Sequence, residues 1–206
     1  VISSNSSMCG AFNVNVIRKF NETVARLREH GYDLKDIDVF AVGKKAADAA
    51  VKAGFQLDED FTDLADKPSY DRAVDLASEL IDRFSDGEVE QVIFIYSHMA
   101  STSSQPVIRE NYLPLALHDY ASGAYPEDYI LEPDPMSLVK ELLPKVLLLK
   151  MYTVVLDANA AEHAARTVAM QVATDNAQDL ISELTLAYNK GRQQEITAEI
   201  LDLIGG

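Results

Sequence analysis

Apolar residues in the last third of the chain recur at alternating steps of four and three: Leu147, Met151, Val154, Ala158, Ala161, Ala165, Val168 and Val172. That spacing holds one stripe of a helix toward a partner, as in the seam of a coiled coil. The 46 residues from Lys145 to Lys190 contain neither Pro nor Gly. As one helix they would extend about 69 Å, well beyond the three or four turns of an ordinary globular helix. The stripe continues as Ala173, Ala177, Leu180, Leu184, Ala187 and Gly191, displaced by one residue; a nearly straight helix drifts in this way against a heptad. Seven of the 17 residues from Asp157 to Ala173 are alanine, so a partner can approach closely. No second segment of comparable length occurs, and the stripe is expected to meet its partner in an upstream segment or in another subunit.

The first two-thirds follow a different rhythm. Asn13 to His30 carries Val16, Ile17, Phe20, Val24 and Leu27 at helical spacing and stops at Gly31, ahead of the strand-like run Val39-Phe40-Ala41-Val42. Lys44 to Lys52 and Tyr70 to Phe84 read as further helices, and Val89 to Tyr96 as a second buried strand. Val1-Ile2-Ser3 reads as another strand, and Val107 to Leu113 and Tyr129 to Leu131 as edge strands. The acidic stretch Leu57 to Lys67 reads as a solvated loop without the spacing of a calcium site. Alternating strands and helices predict an α/β fold, with a Rossmann-like, mainly parallel sheet domain over residues 1–135 and a long shaft helix over 136–206.

Charge narrows the partners. With 33 acidic against 18 basic residues the chain carries −15, which repels phosphate backbones and argues against nucleic acid as a partner. The single cysteine, Cys9, cannot form an internal disulfide, and the opening Val1-Ile2-Ser3 has neither an initiator Met nor a signal-like stretch, so a reducing compartment and a missing natural start are expected. The most apolar run, Val146 to Leu156 interrupted by Lys150, falls short of the roughly 20 apolar residues that span a bilayer.

Candidate chemistry is sparse. Val42-Gly43-Lys44-Lys45 follows a strand as a phosphate loop does, but Asp38 and Lys45 stand where that motif needs a Gly and a Ser or Thr. His30, His98, His118 and His163 show no metal-ligand spacing. Cys9 lacks a matching His and Asp pattern, and Ser101 to Ser104 lacks the context of a nucleophile elbow. No catalytic residues, cofactor or metal are predicted. The polar groups on the shaft, Arg166, Asp175 and Asn176 among small apolar neighbours and Gln193, Gln194, Thr197 and Glu199 near its end, remain as candidates for docking another protein.

Glu162 to Asn176, EHAARTVAMQVATDN, and Leu186 to Gly206, LAYNKGRQQEITAEILDLIGG, resemble the C-terminal helix of the gamma subunit of F-type ATP synthase. Ile196, Thr197, Glu199, Asp202 and Gly206 fill that family's terminal signature in register, and the resemblance extends to Ser6 to Asn15, Val42 to Lys45 and Asp128 to Pro135. Asn5-Ser6-Ser7 stands where Asp-Arg-Gly is more usual, and Gln171 where a Lys is common. The resemblance implies a non-catalytic central-stalk rotor of a proton-translocating synthase, linking c-ring rotation to conformational change in the catalytic beta subunits. Its C-terminal helix would be one half of an antiparallel coiled coil with an N-terminal helix missing from this sequence. It further implies beta-subunit contacts at Arg166, Gln193, Thr197 and Glu199, c-ring and epsilon contacts at Tyr129 and Glu132, alpha subunits around the shaft, and a peripheral position on the cytoplasmic face of a bacterial plasma membrane, or the matrix face in a mitochondrion. The alternative is an α/β ligand-binding or enzyme domain with a coiled-coil oligomerisation helix.

Overall fold

The computed structural model describes residues 1–57, 59–115, 132 and 134–206. Helices α1 (Phe12–Glu29), α2 (Lys44–Lys52), α3 (Thr62–Asp66) and α4 (Tyr70–Ser85) precede strands β1 (Val92–Ser97) and β2 (Val107–Leu113), and α5 (Pro135–Gly205) closes the chain. The mixed α/β class with a long final helix agrees with the sequence pattern. The pairing of the strands does not: β1 and β2 form an antiparallel ladder, and among the described residues parallel pairing is confined to one bridge, Ile2 with Val42. The nine residues 98–106 between the two strands contain no helix, whereas a parallel crossover takes a dozen or more residues and usually a helix. The opening segment still joins both sides, since Ile2 N donates to Ile95 O at 2.9 Å and Ser3 N to Val42 O at 2.8 Å.

An extra residue on β2, Tyr112, interrupts the register between Val92 opposite Leu113 and Ile93 opposite Asn111. Bulges re-aim side chains. Tyr112 is fully buried, its ring lies 4.4 Å from that of Phe94, and its hydroxyl donates to the Leu147 carbonyl of α5 at 3.0 Å. Burial raises its phenol well above the usual range, so it stays a neutral donor.

Around this sheet the core of the described residues comprises two large clusters and a small one of Cys9, Phe12 and Ala161. Val16, Phe20, Ala50, Phe55 and Ile95 form one cluster under α1 and α2. The larger one joins Leu76, Ala77, Leu80, Phe94 and Tyr112 to Leu147, Met151, Val154, Val155 and Ala158 of α5. The acidic stretch contributes to it, contrary to its reading as a loop: Phe61, Leu64 and Ala65 are buried, with α3 formed across them. Their i, i+3, i+4 spacing places them on one helical face, and the surrounding acids mask that signal in the sequence. Tyr129 to Leu131, read as an edge strand, lies outside the described residues, as does His118.

Candidate functional site: a long helix seated on a globular head

Asp134 starts α5. Its carboxylate accepts the Ser137 N–H at 2.9 Å and Pro135 occupies the first helical turn, a combination that satisfies one orphan amide and pre-sets the backbone. The helix then runs 71 residues, about 106 Å at 1.5 Å per residue, and passes through Pro144.

Three stretches of α5 have different surroundings. Before Leu147 the helix is largely exposed, with Met136, Val139, Leu142, Leu143 and Val146 open to solvent. Between Leu147 and Ala164 the seam is buried against the head. Leu147 and Val154 at 6% and 5% exposure therefore have a partner within the chain, contrary to the expectation of an outside one. From Val168 onward Val172, Leu180, Leu184, Ile200 and Leu201 are exposed.

Polar bonds fix the middle stretch. Asp157 accepts the Met99 N–H at 2.9 Å through one carboxylate oxygen and bonds His98 Nδ1 at 2.6 Å through the other. Asn159 donates to the Ala65 carbonyl at 2.8 Å. Lys150 pairs with Glu110 of β2. Arg166 donates to the Ser7 carbonyl at 2.7 Å and Ser6 Oγ at 2.8 Å, and pairs with the buried Glu162.

The candidate shaft residues thus separate. Arg166 lies at the edge of the head and is engaged by it. Gln193, Thr197 and Glu199 are exposed near the far end, Thr197 donating its hydroxyl to the Gln193 carbonyl at 2.7 Å within the helix. Glu132 is exposed just ahead of α5, and Tyr129 lies outside the described residues.

The motifs that suggested other chemistry have structural partners. At Gly43, with φ of 95°, a Cβ would come 2.2 Å from the Ser3 carbonyl oxygen, so only glycine permits this approach. The amides of the following turn are already bonded: Lys44 N to Asn5 Oδ1 and Ala46 N to Ser3 Oγ. They offer a phosphate no open donors. Cys9 is buried beside Asn13, whose side-chain amide reaches its sulfur at 3.1 Å. A cavity of about 540 Å³ lies between α1, α4 and β1. At its rim Arg83 bonds Asp38 and Glu79, and Tyr32 bonds Glu90, so these polar groups are paired with one another.

A helix of this length on a small α/β head has counterparts among known proteins. The family model described as ATP synthase matches residues 1–206. The ATP synthase gamma chain of Bacteroides fragilis is 50% identical over 208 residues, covering 99% of this chain and 71% of that protein. This chain belongs to the ATP synthase gamma chain family. The gamma chain of Phocaeicola vulgatus is 47% identical over 210 residues, covering all of this chain and 72% of its relative. The fold also matches a chain of the Euglena gracilis mitochondrial ATP synthase, with a TM-score of 0.59 at 23% identity over 99% of this chain and 69% of that one. A chain from the central stalk and c-ring of the Tetrahymena thermophila mitochondrial ATP synthase matches at a TM-score of 0.56 and 20% identity, over 84% of this chain and 74% of that one. Among the described residues no helix is long and apolar enough to cross a membrane.

Asp157, Asn159 and Lys150 were not distinguished in the sequence from solvated helix charges. A usable signal existed: each flanks the buried seam closely enough to reach over it, where an ordinary surface charge would sit on the opposite face.

Proposed function

We propose that the chain works as the central-stalk rotor of a proton-translocating F-type ATP synthase, turning with the c-ring and setting the conformations of the catalytic beta subunits without catalysing chemistry itself. The observation that carries this reading is the division of α5: one stretch is bound to the head, while about 40 residues, roughly 60 Å, stand clear of it. An asymmetric shaft inside a ring acts through differential contact. To turn a site's preference from 1:99 to 99:1, its faces must differ by about 5.5 kcal/mol in how they bind the two states. Alanine-rich surface grips weakly and leaves the angle to a few directional groups.

Gln193, Thr197 and Glu199, exposed near the free end, are proposed to form those groups toward the beta subunits. Arg166 belongs with them, and its bonds to Ser6 and Ser7 would tie such a contact directly to the head. Tyr129 and Glu132, ahead of α5, are proposed to face the c-ring and the epsilon subunit, with the alpha subunits completing the sleeve around the shaft. An upstream helix is proposed to pair with the exposed seam, and the complex to hold the chain peripherally on the cytoplasmic face of a bacterial membrane.

Replacing Gln193 or Thr197 by Leu tests the reading. Coupled ATP synthesis and steady-state hydrolysis by the assembled complex should fall, while the circular dichroism of the chain stays unchanged. Wild-type rates in both assays would refute the assignment. For the other end, Cys at Glu132 should crosslink to a polar loop of the c subunit; crosslinks to alpha or beta alone would invert the orientation.

A further inference from the structure

We propose that Lys150, Asp157, Asn159 and Arg166 form the clamp that carries torque between head and shaft. The proposal rests on the rotor reading and adds to it the path inside this chain. A rotor part has a mechanical problem at the join. Backbone φ and ψ are soft dihedrals, so a single chain connection resists twisting less than a packed interface does. Most of the torque must therefore cross the packed interface. Apolar burial is non-directional: it holds the helix against the head but resists rotation about the helix axis only through the shape of the packing. Hydrogen bonds, which weaken steeply as they bend, resist rotation directly.

The placement of the polar bonds fits this task. At about 100° per residue, Lys150 and Asp157 fall on one flank of the buried stripe, and Asn159 and Arg166 on the other, each roughly 90° from its centre. Each reaches a different element. Lys150 pairs with Glu110 on β2, and Asp157 takes the Met99 N–H in the loop after β1 at 2.9 Å. Asn159 reaches the Ala65 carbonyl of α3 at 2.8 Å, and Arg166 the Ser7 carbonyl ahead of α1 at 2.7 Å. Rotation of α5 in either sense stretches one flank while it compresses the other, so the two flanks resist both directions of turning. A helix packed only by its apolar face would need no such pairing of opposite sides.

The test uses the assembled synthase with its hexamer immobilised and a bead attached to the head. With the motor stalled, angular fluctuations of the bead report torsional stiffness, and stall torque is read on the same complexes. Asp157→Ala combined with Asn159→Ala removes one anchor from each flank. Stiffness should roughly halve, because one of the two directional bonds on each flank is removed, and stall torque should fall. Asp157→Asn, which retains an acceptor for the Met99 N–H, should recover part of the stiffness lost in Asp157→Ala. Ser182→Ala with Thr185→Ala, on the free stretch, should leave both readings at wild type. Wild-type stiffness and torque in the double variant would overturn the clamp while the rotor reading stands. If the double variant fails to assemble, equal stiffness for wild type and Asp157→Ala alone overturns it as well. A bead that never turns on the unsubstituted chain would instead overturn the rotor reading, and the clamp with it.

Discussion

The stretch of α5 from Leu147 to Ala164 and the stretch from Val168 to Ile204 belong to one helix and share an alanine-rich apolar seam, yet the first is buried and the second is bare. Below, Met151 and Val155 sit at 1% exposure in the same core as Leu76 and Phe94. Above, Leu184 and Leu186 stand at 59% and 73%. The difference teaches that periodicity encodes the need for a partner and leaves its identity open. A helix that depends on tertiary packing more than on propensity is stable where it is covered and frays where it is not.

The largest effect should come from breaking the covered part. Met151→Ala removes a fully buried side chain from the core and is expected to cost about 2–5 kcal/mol in chemical denaturation. Leu184→Ala in the isolated chain should change stability by less than about 0.5 kcal/mol, as surface substitutions do. Hydrogen exchange should agree, with slow amides from Leu147 to Ala164 and fast ones beyond Val172. Equal costs for the two substitutions, or uniform protection along α5, would remove the distinction between the halves.

Next in size is the boundary between the halves. Arg166 pairs with Glu162, whose side chain is 8% exposed, so Arg166→Ala leaves a buried carboxylate without its cation. Loss of one partner from a buried pair costs about 3–5 kcal/mol, and the partial exposure of Arg166 places this case at the lower end, near 3 kcal/mol. Glu199→Ala on the bare half should be neutral in the isolated chain. A thermal melt of Arg166→Ala that matches wild type would show that the head does not depend on this residue and would leave it free for an outside contact.

How much of this was legible depended on the physical signal. Lys44 to Lys52 was readable as a helix because Gly43 and Gly54 bracket a regular apolar spacing, and the observed α2 has those bounds. The shaft was readable from its seam and from the absence of breakers. The covered half was not, because Leu147 and Val154 have the same spacing whether they face a helix or a sheet. Direction of pairing escaped for a related reason: a buried apolar strand looks alike in parallel and antiparallel sheets, and only the short helix-free link 98–106 decides it. The clamp escaped because Asp157 and Asn159 are polar residues on a helix, and their partners Met99 and Ala65 use backbone atoms that leave no trace in side-chain pattern.

Two glycines sharpen the contrast between head and shaft with opposite signs. Gly43→Ala forces a Cβ to 2.2 Å from the Ser3 carbonyl at a φ of 95°, where strain alone is about 1–3 kcal/mol, and the head should be clearly destabilised. Gly191 has nothing within 4 Å of a built Cβ and lies inside α5. Gly191→Ala should therefore stabilise the free half by about 0.5–1 kcal/mol through helix propensity. Increased ellipticity for Gly191→Ala and a lowered melting midpoint for Gly43→Ala are the expected readings; the same sign for both would show that the two regions do not differ in packing as described.

The smallest effect concerns the start of the helix and depends on pH. Ser137, through its side chain and then its backbone amide, holds the Asp134 carboxyl below its usual range. A depressed folded pKa means that the unfolded chain binds the proton first. The capping contribution is thus fully present above the unfolded value near 3.9 and is lost as pH falls through the lower folded value. Asp134→Asn keeps an oxygen acceptor and removes the titration, so the difference in helicity between wild type and variant should shrink as the pH is taken from about 5 to below the folded value. The exposed position of Asp134 keeps this change small and sensitive to salt. A difference that stays constant across that range would show that the first turn of α5 is held by Pro135 and the packing downstream, with no measurable contribution from the charge of its cap.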